Sequence, residues 1–151
     1  MARTPNPPAA LWPLINRVFG MHTAVYRATR GLVGHRLPFV PPMLLLDHVG
    51  AKSGTRRTTP LVYLQDGERF VIVASKGGFE RHPAWFHNLK ANPDTTIQVG
   101  SRTIQVRARV ATAAEHRRLW PRMVDIWSDY DEYQKRTARK IPLVLLEPPP
   151  S

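Results

Sequence analysis

Between Leu14 and about Arg30 the apolar residues Leu14, Ile15, Val18, Phe19, Val25 and Tyr26 recur at helical spacing, while Asn16, Arg17, Arg27 and Arg30 fall on other faces. The pattern predicts an amphipathic, basic helix. Three placements suit it: docked on the core, lying on a membrane surface, or lidding an apolar substrate. Ahead of it, Pro5, Pro7, Pro8 and Pro13 deny residues 1–13 a regular helix, and disorder is expected there. Behind it, Gly31, Gly34, Pro38, Pro41 and Pro42 mark a loop.

The period then changes. Met43 to Val49 (MLLLDHV) is an apolar run of strand length, closed by the glycine-bounded turn Gly50–Gly54. A second strand is expected over Thr58 to Gln65, a hairpin turn at Asp66-Gly67, and a third strand over Arg69 to Ala74. Thr95–Val99 and Arg102–Val110, joined by Gly100-Ser101, read as a further hairpin. Thr112 and Glu115 have capping-box spacing ahead of a helix running to about Trp127. Ser128 or Asp129 begins another short helix, and Ile141 to Leu146 is a last strand before a proline tail. Hairpins with helices between them predict the α+β class, built on an antiparallel sheet or small barrel, as one domain over residues 14–148.

Composition narrows the class. The chain has 151 residues and no cysteine, so disulfides, thiolate catalysis and Cys-ligated zinc are excluded. No apolar run approaches the ~18–20 residues needed to cross a bilayer, no signal peptide is visible, and a cytoplasmic location is the expectation. Charge changes the picture more. The formal net charge is +11, and through residue 65 eight basic residues face one acid, Asp47. Such a field attracts polyanions: nucleic acid, an anionic membrane face, or a cofactor carrying phosphates and carboxylates.

Two corners could hold an anionic ligand. Gly50-Ala51-Lys52-Ser53-Gly54-Thr55-Arg56-Arg57 superficially resembles a phosphate loop, but Leu46 and Ala51 stand where that motif needs glycines, and a strand follows instead of a helix. What remains is a turn with exposed N–H groups, two hydroxyls and three cations; it is either an anion site or an ordinary basic hairpin turn. The second corner is Ser75-Lys76-Gly77-Gly78, where a strand runs out into SKGGFERHPAWFHNLKANP. Its glycines admit close approach of a flat ligand or positive φ. Pro83 and Pro93 bracket a short helix on which Trp85, Phe86 and Leu89 would fill a core in any case.

Other chemistries find little support. His82 and His87 lack the spacing of a helical ligand pair, so no metal site is expected, and there is no Gly-x-Ser-x-Gly elbow. Trp127, Tyr130 and Tyr133, with Trp120 upstream, form either a core stripe or the rim of a pocket for an aromatic substrate.

Taken in order, four motifs resemble the deazaflavin (coenzyme F420)-dependent nitroreductases of actinobacteria. They are Gly50, Lys52, Ser53, Gly54, Arg57, Pro60 and Leu61; the run Ala74 to Gly78; the P-x-W-x-x-N-L-x-A-N-P run from Pro83 to Pro93; and Ile141-Pro142 before the last strand. The resemblance covers about Pro42 to Pro148. It implies a split β-barrel of the flavin-binding kind, with F420, an 8-hydroxy-5-deazaflavin, lying in a groove. The cofactor's phosphate and glutamyl tail would meet Lys52, Ser53, Gly54, Thr55 and Arg57, and its ring would lie near Ser75, Lys76, Gly77 and Gly78. Pro60, Tyr63, Trp85 and Asn88 would also lie near it. The family's aromatic substrate cluster maps to Trp127, Tyr130 and Tyr133, with Trp127 standing where close relatives can have tyrosine.

The activity so implied is hydride transfer from reduced F420 to an apolar acceptor: a quinone such as menaquinone, a nitroimidazole or an enone. Ser75, Lys76 and Tyr133 are the candidates to stabilise the oxygen that gains charge, and Tyr133 or solvent to hand over a proton. With the helix over 14–30, this favours peripheral contact with the inner face of the plasma membrane. A carrier that holds F420 without turnover fits the same anion-site residues. A nucleic-acid binder explains the charge but shows no reader motif.

Overall fold

The computed structural model describes residues 12–29, 41–78 and 81–150. Four helices surround one antiparallel sheet: α1 (Trp12–Ala28), α2 (Ala84–Ala91), α3 (Ala113–Ile126) and α4 (Asp129–Lys135). The strands are β1 (Met43–Val49), β2 (Arg56–Val62), β3 (Leu64–Asp66), β4 (Arg69–Val73), β5 (Asp94–Val99), β6 (Arg102–Val110) and β7 (Leu143–Glu147), ordered β2-β1-β5-β6-β7-β4-β3. Two expectations are corrected. The first helix starts at Trp12, with Pro13 in its first turn, where a missing N–H removes no bond. The strand expected over Thr58–Gln65 is two strands, because Tyr63 leaves the ladder between them. The rest of the expected disorder over residues 1–13, and most of the loop before Pro41, lie outside the described residues.

The order of the strands dictates the shape. β2 and β3 are the two edges of the sheet, yet only Tyr63 separates them in the chain. Edges that are consecutive in sequence must meet, so the sheet curls into a barrel. Closure is incomplete. β3 pairs with β4 only as far as Leu64 opposite Val71, and beyond that point β2 approaches β4 without forming a ladder. Pro60 is tolerated because β2 is an edge strand. A split barrel results.

Alternation sorts the side chains. Leu44, Leu46, Phe70, Ile72, Val144 and Leu146 face inward, joined by Trp85, Phe86 and Leu89 of α2, which plugs one end. Val71, Val73, Leu143 and Leu145 face outward and are covered by Leu119 and Met123 of α3 and Tyr130 of α4. Both faces of β4 and β7 are therefore buried, which is why these strands are apolar without alternation. The expected capping box holds α3: Glu115 N–H donates to Thr112 Oγ1 at 3.2 Å, and Thr112 N–H donates to Glu115 Oε1 at 2.9 Å. Ser128 precedes α4 without capping it through its side chain.

Helix α1 lies outside the barrel and docks through Tyr26, which has no exposed surface. The Tyr26 hydroxyl donates to the Met43 carbonyl at 3.0 Å and accepts from Gly100 N–H at 2.8 Å. Arg27 Nη2 reaches Asp47 Oδ1 at 2.8 Å. Of the predicted apolar stripe, Leu14 and Val25 remain exposed. No described helix is long and apolar enough to cross a membrane.

Candidate functional site

Antiparallel pairing places the β1–β2 turn (residues 50–55), the end of β4 (residues 74–78) and the start of β5 at the same end of the barrel. The two candidate corners therefore stand on the lips of one gap, between β2 and β4, with α2 crossing beside them.

On the β2 lip the turn has a defined shape. Gly50 N–H donates to the Thr55 carbonyl at 2.9 Å, Gly54 N–H to the Gly50 carbonyl at 2.9 Å, and Thr55 N–H to Ser53 Oγ at 3.2 Å. Gly54 has φ 69°, a left-handed conformation in which a Cβ would be strained. Lys52, Ser53, Thr55, Arg56 and Arg57 are exposed, and among the described residues no carboxylate pairs with Lys52, Arg56 or Arg57. Elsewhere several arginines meet carboxylates. Asp66 receives Arg69, Arg118 and Arg122, while Arg109 bridges Glu115 and Glu147. The turn thus presents three exposed cations, and it borders a cavity of about 560 Å³ lined by Arg27, Arg56, Arg57, Asp47, His48 and Asp94 among others.

A buried polar chain anchors the turn from beneath. Ala51 N–H donates to Asn88 Oδ1 at 3.0 Å, Asn88 Nδ2 lies 2.9 Å from His48 Nδ1, and His48 Nε2 lies 2.9 Å from Thr59 Oγ1. The donor order follows from one end. A backbone N–H can only donate, so Asn88 presents its oxygen to Ala51 and its NH2 to His48. His48 Nδ1 therefore accepts, and its proton sits on Nε2. The imidazole is neutral, in keeping with its lowered pKa, which burial causes first and the Arg57 charge second, with Asp47 opposing.

On the β4 lip the chain leaves the strand at Ala74 and makes a single 3-10 turn over Lys76–Gly78, with Gly78 N–H donating to the Ser75 carbonyl at 2.9 Å. Lys76, exposed, has φ 45°, and Gly78 has φ 82°. Arg139 braces this corner from the loop before β7. Its Nη1 donates to the Ala74 carbonyl at 3.2 Å and its Nη2 to the Ser75 carbonyl at 2.8 Å, while Nη1 also lies 3.0 Å from His82 Nδ1. Ser75 is buried, and its hydroxyl has no protein partner among the described residues. Gly78 serves packing as well as conformation: a Cβ there would lie 2.6 Å from the Tyr133 carbonyl oxygen and 2.9 Å from Tyr133 Cα. The glycine seats α4 against the corner.

The remaining candidates divide. Arg57 and Tyr63 fall on the inner face of the β2–β3 segment and Pro60 on the outer, so a single ligand meets all three only along the strand edge. Tyr63 packs edge-on against Phe70 at 5.7 Å. Trp85 is buried in the inner cluster, and Asn88 uses its amide on Ala51 and His48. Tyr130 is buried in the outer cluster, where burial raises its pKa. Tyr133 and Trp127 are half-buried, and the Arg136 guanidinium lies 5.4 Å from the Tyr133 ring centre. Sequence reasoning missed Arg139 and His48. His48 left one signal, an imidazole inside an otherwise apolar run; Arg139, among the polar residues of a loop, left none.

Known proteins agree with this architecture. The family model described as F420H(2)-dependent quinone reductase matches residues 18–148. A Mycobacterium tuberculosis (strain H37Rv) protein called an F420H(2)-dependent quinone reductase is 47% identical over 129 residues, covering 83% of this chain and 87% of that protein. A solved structure of an F420-H2 dependent reductase is 37% identical, with a TM-score of 0.65, covering 70% of this chain and 94% of that one. Another, described as a domain-swapped dimer, is 31% identical with a TM-score of 0.67, over 89% and 99%.

Proposed function

The chain belongs to the F420H(2)-dependent quinone reductase family, and from that premise we propose that it passes a hydride from reduced F420, held across the β2–β4 gap, to a quinone. The observation that carries the placement is the pair of corners at one end of the barrel, an exposed cationic turn and a glycine bend beside the buried Ser75, where neither the turn's cations find a carboxylate nor the Ser75 hydroxyl a protein partner among the described residues. A long anion with a flat ring at one end matches both.

When bound, reduced F420 supplies the hydride, and one proton completes reduction of quinone to quinol. Lys52 and Arg57, with the Ser53 and Thr55 hydroxyls, hold the phosphate and glutamyl carboxylates, and Gly54 gives the turn the bend that presents them. Ser75, Lys76, Gly77 and Gly78 support the ring, while Pro60, Tyr63 and Trp85 shape the groove and Asn88 holds the turn. Ser75 Oγ and Lys76 Nζ donate to the oxygen that gains charge. The Tyr133 hydroxyl, or water, delivers the proton; Trp127 and Tyr133 bound the acceptor side and exclude solvent, with Tyr130 packed in the core behind them.

The same donors suit nitroimidazoles and enones, since each gathers negative charge on oxygen during reduction. The exposed Leu14, Met21 and Val25 of α1, beside Arg17, fit peripheral contact with an anionic membrane where a quinone resides. The decisive test is anaerobic: purified protein, reduced F420 and a menaquinone analogue, followed by deazaflavin absorbance. Oxidation in step with quinol formation is expected; neither binding nor oxidation would overturn the reading. Nitroimidazoles, enones and cosedimentation with anionic vesicles extend the same assay.

A further inference from the structure

We infer that His48 is a positioning residue for the cofactor site: acting through Asn88, it holds the 50–55 turn in its anion-binding shape, so that cofactor affinity falls when the imidazole is protonated. The inference rests on the reading of that turn as the F420 tail site.

The geometry leaves His48 one role in the network. Asn88 can satisfy Ala51 only by presenting its oxygen, which commits its NH2 to His48 Nδ1. A proton on Nδ1 places N–H against N–H. The amide must then turn, losing Ala51, or the imidazole must leave, abandoning Thr59. Either movement frees the middle of the turn, whose own backbone bonds join only Gly50 to Gly54 and Thr55. None of the bonds is redundant: His48 and Asn88 are both buried, so water does not readily replace a lost partner.

Charges around the imidazole reinforce this state. Arg57 stands opposite His48 across the β1–β2 ladder and repels a second cation. Asp47, which would favour protonation, is occupied by Arg27 of α1 and by the Thr58 hydroxyl. Arg56 of β2 and Asp94 of β5 line the same cavity, and α2 contributes the neutral Asn88. The latch is closed at neutral pH and opens on acidification, below the ordinary imidazole pKa.

The test measures oxidised F420 binding by calorimetry at pH 7.5 and pH 5 on the full chain. Wild-type affinity is expected to fall about tenfold on acidification, the equivalent of one lost buried hydrogen bond. His48→Gln presents an acceptor and a donor without titrating; it is expected to stay within about threefold of wild type at pH 7.5 and to lose most of the pH dependence. His48→Leu strands Asn88 and Thr59, and is expected to raise the KM for reduced F420 about tenfold while kcat moves less than about threefold. Should His48→Leu fail to fold, His48→Gln alone decides. Wild-type affinity that is flat with pH, or a His48→Gln variant that titrates like wild type, overturns the inference while leaving the site reading intact. Absence of F420 binding by the wild type, or binding unaffected by Lys52→Ala, instead sinks the site reading and this inference with it.

Discussion

Arg139 Nη2 donates to the carbonyl oxygen of Ser75 at 2.8 Å, tying the loop before β7 to a corner 64 residues earlier in the chain. The same guanidinium holds the Ala74 carbonyl, so one planar fork fixes two successive peptide groups. Replacement by methionine keeps the stem and removes the fork. Arg139→Met is expected to cost about 2 kcal/mol in urea unfolding and to lower kcat for quinone reduction more than it raises the KM for F420. Lysine should not restore the wild-type rate, because its single nitrogen does not match two carbonyls. A methionine variant with unchanged kcat would show that the corner holds its shape unaided.

Gly78 makes a separate prediction. Alanine there meets both a φ of 82° and the backbone of Tyr133. Gly78→Ala should destabilise by at least about 2 kcal/mol, with α4 losing amide protection from exchange first. Gly67, at φ 64° with open space around it, is the control: Gly67→Ala should cost about 1 kcal/mol. Equal costs at the two positions would refute the seating of α4.

Stability should fall with acid in two stages. Burial is the first cause of the lowered pKa of His48, His82 and His116. Below about 6.5 the unfolded chain takes up protons that the fold resists, so their contribution is complete above that pH and declines beneath it. Asp66 and Glu115 are held well below the carboxylate range chiefly by Arg118 and Arg109 respectively. Their contribution is complete above about pH 4 and is lost as the pH falls further. Asp66→Asn should therefore lower Tm by about 3 °C or more at pH 7 and by clearly less at pH 2.5, where the unfolded carboxyl is already protonated. The same deficit at both pH values would contradict the ion-pair assignment.

Binding of F420 should weaken with salt, since the cations of the turn are exposed. Lys52→Ala combined with Arg57→Ala is expected to raise Kd about tenfold or more at low salt and to flatten the salt dependence. A double variant with the wild-type salt slope would place the anionic tail elsewhere.

Much of the fold could be read from the chain because its signals are local. The periods of β1, β5 and β6, the Asp66-Gly67 turn and the Thr112–Glu115 box each depend on neighbours in sequence. The break at Tyr63 could not be read, since both sides continue one strand-like pattern and only the curl of the sheet separates them. At the site, the turn and the glycine bend were visible as motifs. The supports were not: Asn88 lies 40 residues from His48, and Arg139 64 from Ser75, distances over which periodicity carries no information. Tyr130 shows the converse. Its helical spacing with Tyr133 suits pocket and core alike, and it lies in the core.

The one-residue seam at Tyr63 has a practical corollary. Both walls of the cleft belong to one continuous ribbon, residues 50–78, which descends one side and climbs the other. Cleft width is accordingly governed by a hairpin's own bend, and exchanging that ribbon between related proteins should carry cofactor preference with it as a single cassette.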